Sequence, residues 1–158
     1  MSVNGFDPHD HDRCRQKALA AVENTCVQKG LSLTPLRRRV LEILLTRHTA
    51  MGAYDVLEQL RVDGLGAQPP TAYRALDFLV SNEFAHRIER LNAFVACTHP
   101  GEHHAPCFLI CRTCDAVAEL PGRRAIDALN GAASDLGFCV DHVSIEAEGL
   151  CPACGPAA

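Results

Sequence analysis

Apolar positions recur at helical spacing through the first half of the chain and change to short strand-like runs near residue 84. Leu19, Val22, Cys26 and Val27 share one helical stripe, which predicts a helix over about 12–29 with Gly30 at its C′ position. Thr34-Pro35 follows as an N-cap and an N1 proline. Leu36, Val40, Ile43 and Leu44 then form a second stripe, with Arg37, Arg38 and Arg39 beside it. A third helix carries Val56, Leu57 and Leu60 and stops near Gly64. A fourth begins at Pro69-Pro70-Thr71 and turns Ala72, Ala75, Leu76 and Leu79 inward. Arg74 lies about 200° around from Ala72 and so points outward.

After Asn82 two runs, 84–89 and 93–97, read as strands around Arg90-Leu91-Asn92. Helices followed by a hairpin describe a winged helix-turn-helix, whose last helix would enter the DNA major groove. Any small α+β domain is the bland alternative, and a triple arginine by itself is more often a solvated helix face. A two-residue turn at Leu91-Asn92 would set His86 opposite Cys97, with Cβ atoms about 4.5–5.5 Å apart, close enough to share a metal.

The back half carries different chemistry. Cys111-Arg-Thr-Cys114 and Cys151-Pro-Ala-Cys154 are paired CxxC knuckles, a set that can close a tetrahedral zinc shell. The 36 residues between them have room for a strand near 116–120, a helix near 123–136 and a strand near 138–147. A thioredoxin-type redox motif would need a helix after its first cysteine, and only Gly155 to Ala158 follow the second knuckle. His86, Cys97, His99, His103, His104, Cys107, Glu119, Cys139 and His142 are left as further candidate donors, densest between 97 and 107. No catalytic triad, glycine-rich phosphate loop or HExxH motif accompanies them, so enzyme chemistry is the weaker reading.

Composition first argues against nucleic acid, because the 158 residues carry a formal charge of −4. The charge is unevenly placed: residues 1–29 net 0, residues 30–90 net +1, and residues 91–158 net −5. Nine cysteines cannot all pair, and seven of them lie from Cys97 onward, so clustered thiols read as metal donors. With no apolar run approaching 18 residues and no secretory leader, the expected address is the cytoplasm. Pro and Gly in 97–106 suggest a linker.

Four segments, in order, resemble one family: Leu33-Thr-Pro-Leu-Arg-Arg-Arg-Val-Leu41, Pro70-Thr-Ala-Tyr-Arg-Ala-Leu-Asp-Phe-Leu79, Ile110-Cys-Arg-Thr-Cys114 and Gly149-Leu-Cys-Pro-Ala-Cys154. Together they resemble the Fur superfamily of bacterial metal-responsive transcription regulators. Ala53-Tyr-Asp-Val-Leu57 and Ile145-Glu-Ala-Glu-Gly-Leu-Cys151 are most similar to its zinc uptake regulator branch. The resemblance implies an α+β fold: a winged-helix DNA-binding domain over 1–97 with a disordered tail over 1–12, a hinge over 98–105, and a zinc-containing α/β dimerisation domain over 106–158. It implies a homodimer on palindromic double-stranded operator DNA, with no membrane and no small-molecule substrate.

Two zinc ions per subunit are implied, a structural one at Cys111, Cys114, Cys151 and Cys154, and a regulatory one at His86, Cys97, His104 and Glu119. His104 is preferred to His103 by its distance before Cys111. Base contacts are expected from Tyr73 and Arg74, a further DNA contact from Thr71, and phosphate contacts from Arg37, Arg38 and Arg39. The thiolate of Cys97 favours zinc over the iron, manganese and peroxide sensing of related branches. Pro106-Cys-Phe-Leu-Ile110 replaces the His-x-His run of iron-type relatives, which argues against a third site near His142. Cys14, Cys26, Cys107 and Cys139 receive no role.

Overall fold

The computed structural model describes residues 6, 10–65, 68–102 and 104–155. Helix α1 (His11–Lys29) starts where Asp10 accepts the Arg13 N–H at 3.1 Å and ends at Gly30 in the left-handed region, φ 64. The tail expected over 1–12 is therefore too long: the Asp10 cap draws residues 11 and 12 into the helix. Asp7, Pro8 and His9 lie outside the described residues. Val22 and Cys26 are buried, but Val27 is 83% exposed rather than facing inward. One residue beyond Cys26 is 100° further round, past the edge of a narrow stripe.

Helix α2 (Pro35–Leu44) has the expected Thr34 cap. Helices α3 (Ala53–Val62) and α4 (Pro69–Ser81) follow. Their apolar stripes meet in one core with Val22, Cys26 and Phe84, which includes Val40, Ile43, Leu57, Leu60, Leu76 and Leu79. Tyr73 and Arg74 stay exposed on α4.

The wing is an antiparallel pair, β1 (Ala85–Ile88) and β2 (Ala93–Ala96), in a register that sets Ala85 opposite Ala96 and His86 opposite Val95. The turn is four residues, 89–92, with Asn92 at φ 45. The expected two-residue turn and the His86–Cys97 cross-strand pair are thus corrected by two residues. A slip of two keeps side-chain parity. Cys97 remains on the His86 face as a diagonal neighbour, and its N–H extends the ladder to the Phe84 carbonyl at 3.0 Å.

Strand β3 (Pro106–Cys111), unanticipated from sequence, is the centre of a three-stranded sheet in the order β4-β3-β5. It pairs antiparallel with β4 (Val117–Pro121) and parallel with β5 (Ile145–Gly149). Helix α5 (Arg123–Asp135) supplies the crossover that a parallel neighbour requires. The strand expected near 138–147 begins only at Ile145. That residue faces Cys107, at the start of β3, so residues 138–144 have no partner strand. No helix among the described residues is long and apolar enough to cross a membrane.

The wing packs onto this sheet. Ile88 and Val95 of the wing and Phe108, Ile110 and Val117 of the sheet form a second, smaller core. Glu146 of β5 accepts the backbone N–H groups of Glu89 and Arg90 at 2.6 and 3.0 Å, and Arg90 pairs with Glu148. The loop before α3 joins both parts, with Met51 bridged to Phe94 and Thr49 to Ala116. At the far end the Gly122 N–H bonds the Ala105 carbonyl at 2.7 Å, where an added Cβ would lie 2.7 Å from that oxygen. Only glycine permits this approach, which pins the chain just after His104 against the start of α5.

Candidate metal centres and nucleic-acid interface

Four donors from separate elements converge between the wing and the sheet: His86 on β1, Cys97 after β2, His104 just before β3 and Glu119 on β4. One donor atom from each lies within 4.8 Å of all the others. His104 Nε2 is 2.6 Å from Glu119 Oε1 and 3.5 Å from Cys97 Sγ. His86 Nε2 is 3.6 Å from the same Glu119 oxygen, too far for a hydrogen bond. That nitrogen is buried and lacks a hydrogen-bond partner. An orphaned buried nitrogen aimed at three other donors fits a metal ion, since a buried polar atom otherwise costs about 1–3 kcal/mol.

The surroundings tune these groups. Burial pushes the Cys97 thiol up, and the nearby Glu119 charge adds to it. Burial works against the Glu119 carboxylate, but the neighbouring His86 and the two donors of Thr98 outweigh it and hold the group at about 2. His104 is opposed by burial, yet the Glu102 carbonyl and the Glu119 charge raise it on balance. Its Nδ1 lies 2.6 Å from the Glu102 carbonyl, so Nδ1 carries a proton and Nε2 is directed at the cluster. His103 lies outside the described residues.

The second cluster is Cys111, Cys114, Cys151 and Cys154, whose sulfurs also lie within 4.8 Å of one another. Tight turns build it. Asp115, at φ 56, lets its N–H reach the Cys111 carbonyl, and the Cys151 carbonyl accepts from Cys154 and Gly155. The backbone N–H groups of Cys151 and Thr113 hold the Cys111 thiol down, to about 6. Hydrogen bonds with Cys151 and Cys114 push Cys154 up, to about 12. Four converging sulfurs fit a closed tetrahedral zinc shell. Cys14, Cys26, Cys107 and Cys139 belong to neither cluster; Cys26 is packed in the helical core.

On the opposite side, Tyr73 lines an open groove of about 550 Å³ with Tyr54, Asp77, Arg87 and Asn92. Arg74 is exposed beside it and Thr71 is half-buried. Sequence reasoning did not single out Tyr54, which lines this groove and is exposed. Its position off the Ala53, Val56, Leu57 and Leu60 stripe placed it outward, but a single exposed aromatic is no signal by itself.

The three arginines of α2 each have partners within the subunit. Arg37 bonds the Ser32 carbonyl at 2.6 Å and lies 3.8 Å over the Phe78 ring. Arg38 pairs with Glu23 and Glu42, and Arg39 with Asp63 at 2.7 Å and Glu42 at 3.2 Å. All three brace α2 against its neighbours, so contact with phosphate would first have to release those bonds.

Comparison with known proteins converges on one family. The profile of the ferric uptake regulator family matches residues 28–148. The zinc uptake regulation protein of Escherichia coli (strain K12) is 40% identical over 140 residues, covering 88% of this chain and 82% of that protein. A zinc uptake regulator complexed with zinc and DNA superposes with a TM-score of 0.82 at 40% identity, over 88% of this chain and 93% of that one. Holo XcZur superposes at 0.78 over 85% of this chain and 94% of its own, and apo XcZur at 0.54 over 90% and 98%. Both XcZur structures are 41% identical to this chain, and the holo form superposes on it with the higher score. By sequence and by fold, the chain belongs to the ferric uptake regulator family.

Proposed function

We propose that this protein is a zinc-responsive transcriptional repressor that binds palindromic operator DNA as a homodimer and controls zinc uptake genes in the cytoplasm. The observation that carries the reading is the convergence of His86, Cys97, His104 and Glu119 from the wing, the hinge and the sheet. The identity to zinc uptake regulators supports it. So does the donor chemistry, because a thiolate with two imidazoles and a carboxylate suits zinc better than iron or manganese.

In this reading the chain divides into a DNA-binding domain over 1–97, a hinge over 98–105 and a dimerisation domain over 106–158. Each subunit holds two zinc ions. Cys111, Cys114, Cys151 and Cys154 hold the structural one, and His86, Cys97, His104 and Glu119 the regulatory one. Zinc in the regulatory site would cross-link the wing, the hinge and the sheet. The chain's own part is to orient α4: the wing is fixed on the sheet, and the sheet on its dimer partner. Two heads fixed in this way match half-sites about one helical turn, or a multiple of it, apart. The dimer surface is argued from α5, which buries no residue within the subunit, together with Leu136 and Phe138 at 85% and 66% exposed.

Arg74, Tyr73 and Thr71 would read the operator. Arg74→Ala is expected to cost about 1–3 kcal/mol of operator binding and to relax base preference at one position. Binding to a set of single-base operator variants checks it, and equal weakening on every variant would reassign Arg74 to a phosphate.

The deciding experiment is operator binding against buffered free zinc with metal content measured in parallel. Two zinc ions per binding-competent subunit and one per inactive subunit are expected. One pH unit higher, the midpoint should fall to about one-tenth the free zinc, because Cys97 must lose a proton to become a donor. Activation by Fe²⁺ with zinc inert would overturn the zinc reading in favour of an iron-type regulator.

A further inference from the structure

Glu119 presents its two oxygens to different neighbours. Oε1 faces His104 Nε2 and His86 Nε2, inside the four-donor cluster. Oε2 faces away and accepts two hydrogen bonds from one residue, the Thr98 N–H at 3.0 Å and the Thr98 hydroxyl at 2.9 Å. The carboxylate is only 6% exposed, so water cannot readily replace either donor.

We infer that Thr98 is a positioning residue that restricts Glu119 to a single donor oxygen and thereby sets the metal preference of the cluster. The inference rests on the sensor reading given above. A carboxylate offers about four lone-pair sites over its two oxygens. Two donors on Oε2 occupy that oxygen's share, which leaves Oε1 as the only oxygen free to donate. The site then has four donors: Nε2 of His86, Sγ of Cys97, Nε2 of His104 and Oε1 of Glu119. Four mixed N, S and O donors suit tetrahedral zinc. A carboxylate free to use both oxygens would offer a fifth, which suits the larger, oxygen-preferring ions.

Further bonds hold Thr98 in place. Its single hydroxyl proton goes to Glu119, so at the 3.0 Å contact with His99 Nδ1 the hydroxyl must be the acceptor and Nδ1–H the donor. The His99 backbone N–H in turn reaches Cys97 Sγ at 3.3 Å. Residues 97–99 therefore form one turn that contributes a donor atom, the thiolate's hydrogen bond and the clamp on Glu119. Such supporting contacts typically change metal affinity by about 10–100-fold when removed.

The test uses the full chain and two variants. Thr98→Val removes the hydroxyl at nearly constant volume, and Thr98→Ser retains it. Zinc affinity of the regulatory site is measured by chelator competition, and geometry by the visible spectrum of the Co²⁺-substituted protein. Thr98→Val is expected to weaken zinc about tenfold, the low end of the range because the backbone N–H survives. Its cobalt bands should lose the intensity of a tetrahedral centre, while Thr98→Ser keeps the parent affinity and spectrum. A parent chain holding two zinc ions, with Thr98→Val unchanged in affinity and spectrum, overturns this inference alone. Equal losses in Val and Ser variants also overturn it, because they mark a steric role. A parent chain that takes up only one zinc overturns the sensor reading and this inference with it.

Discussion

Cys97→Ser is expected to abolish zinc-dependent operator binding while leaving the subunit folded, dimeric and loaded with one zinc. Cys97 is buried just after β2 of the wing, and its sulfur is the only soft donor among the four converging groups of the proposed regulatory site. Binding free energies of about 10–16 kcal/mol for four-donor zinc sites correspond to roughly 2.5–4 kcal/mol per donor, a hundredfold to a thousandfold in affinity. A serine hydroxyl fills nearly the same space without a readily ionised sulfur, so packing is preserved and affinity is not. Metal content should fall from two to one per subunit, and operator binding should vanish across the free-zinc range that activates the parent. A Cys97→Ser chain with the parent's midpoint would sink the assignment.

Cys151→Ser should do more damage, in a different place. Cys151 is buried, its carbonyl closes the second knuckle, and it follows β5 by two residues. Losing one of four thiolates removes roughly 2.5–4 kcal/mol by the same division, a large share of the about 5–15 kcal/mol that holds an ordinary domain folded. The expected result is loss of the structural zinc, release of β5 from β3 and loss of the dimer. The helical core uses none of these residues, so circular dichroism should retain most of the helix signal. Sedimentation and metal analysis check the rest. A zinc-free Cys151→Ser chain that remained dimeric would show that the Cys₄ cluster does not support the sheet.

What the sequence revealed followed the locality of each signal. The Thr34-Pro35 start, the α4 stripe and the CxxC knuckles are written in residues a few positions apart, and all three were readable. The wing register was not. Leu91-Asn92 carries no strong turn chemistry, and the observed four-residue turn is held by Glu146, which lies 57 residues beyond Glu89. Strand β3 is hidden because Pro106-Cys-Phe-Leu-Ile-Cys111 has no alternating pattern; it lies between the adjacent β4 and the distant β5, covered on both edges. Among the regulatory donors, His86 and Cys97 came from residue pattern, with the register wrong but the shared face right. His104 and Glu119 came through family resemblance alone. The pairing of the triple arginine was only partly visible in the sequence: Glu42 lies on the same helix, but Glu23 is on α1 and Asp63 caps α3.

The two separate cores also have a consequence for synthesis. The helical core is complete once Phe84, Phe94 and Ala96 have emerged. The wing can pack on β3 and β4 first, but its turn is not tied down until Glu146 of β5 exists, 57 residues after Glu89. At ordinary translation rates of about 5–20 residues per second, that interval is roughly 3–11 s. During it a nascent chain would already own a folded α4 but not the fixed head orientation that a paired operator requires. In the proposed reading, the last hold on the orientation of the DNA-reading head therefore arrives only with β5.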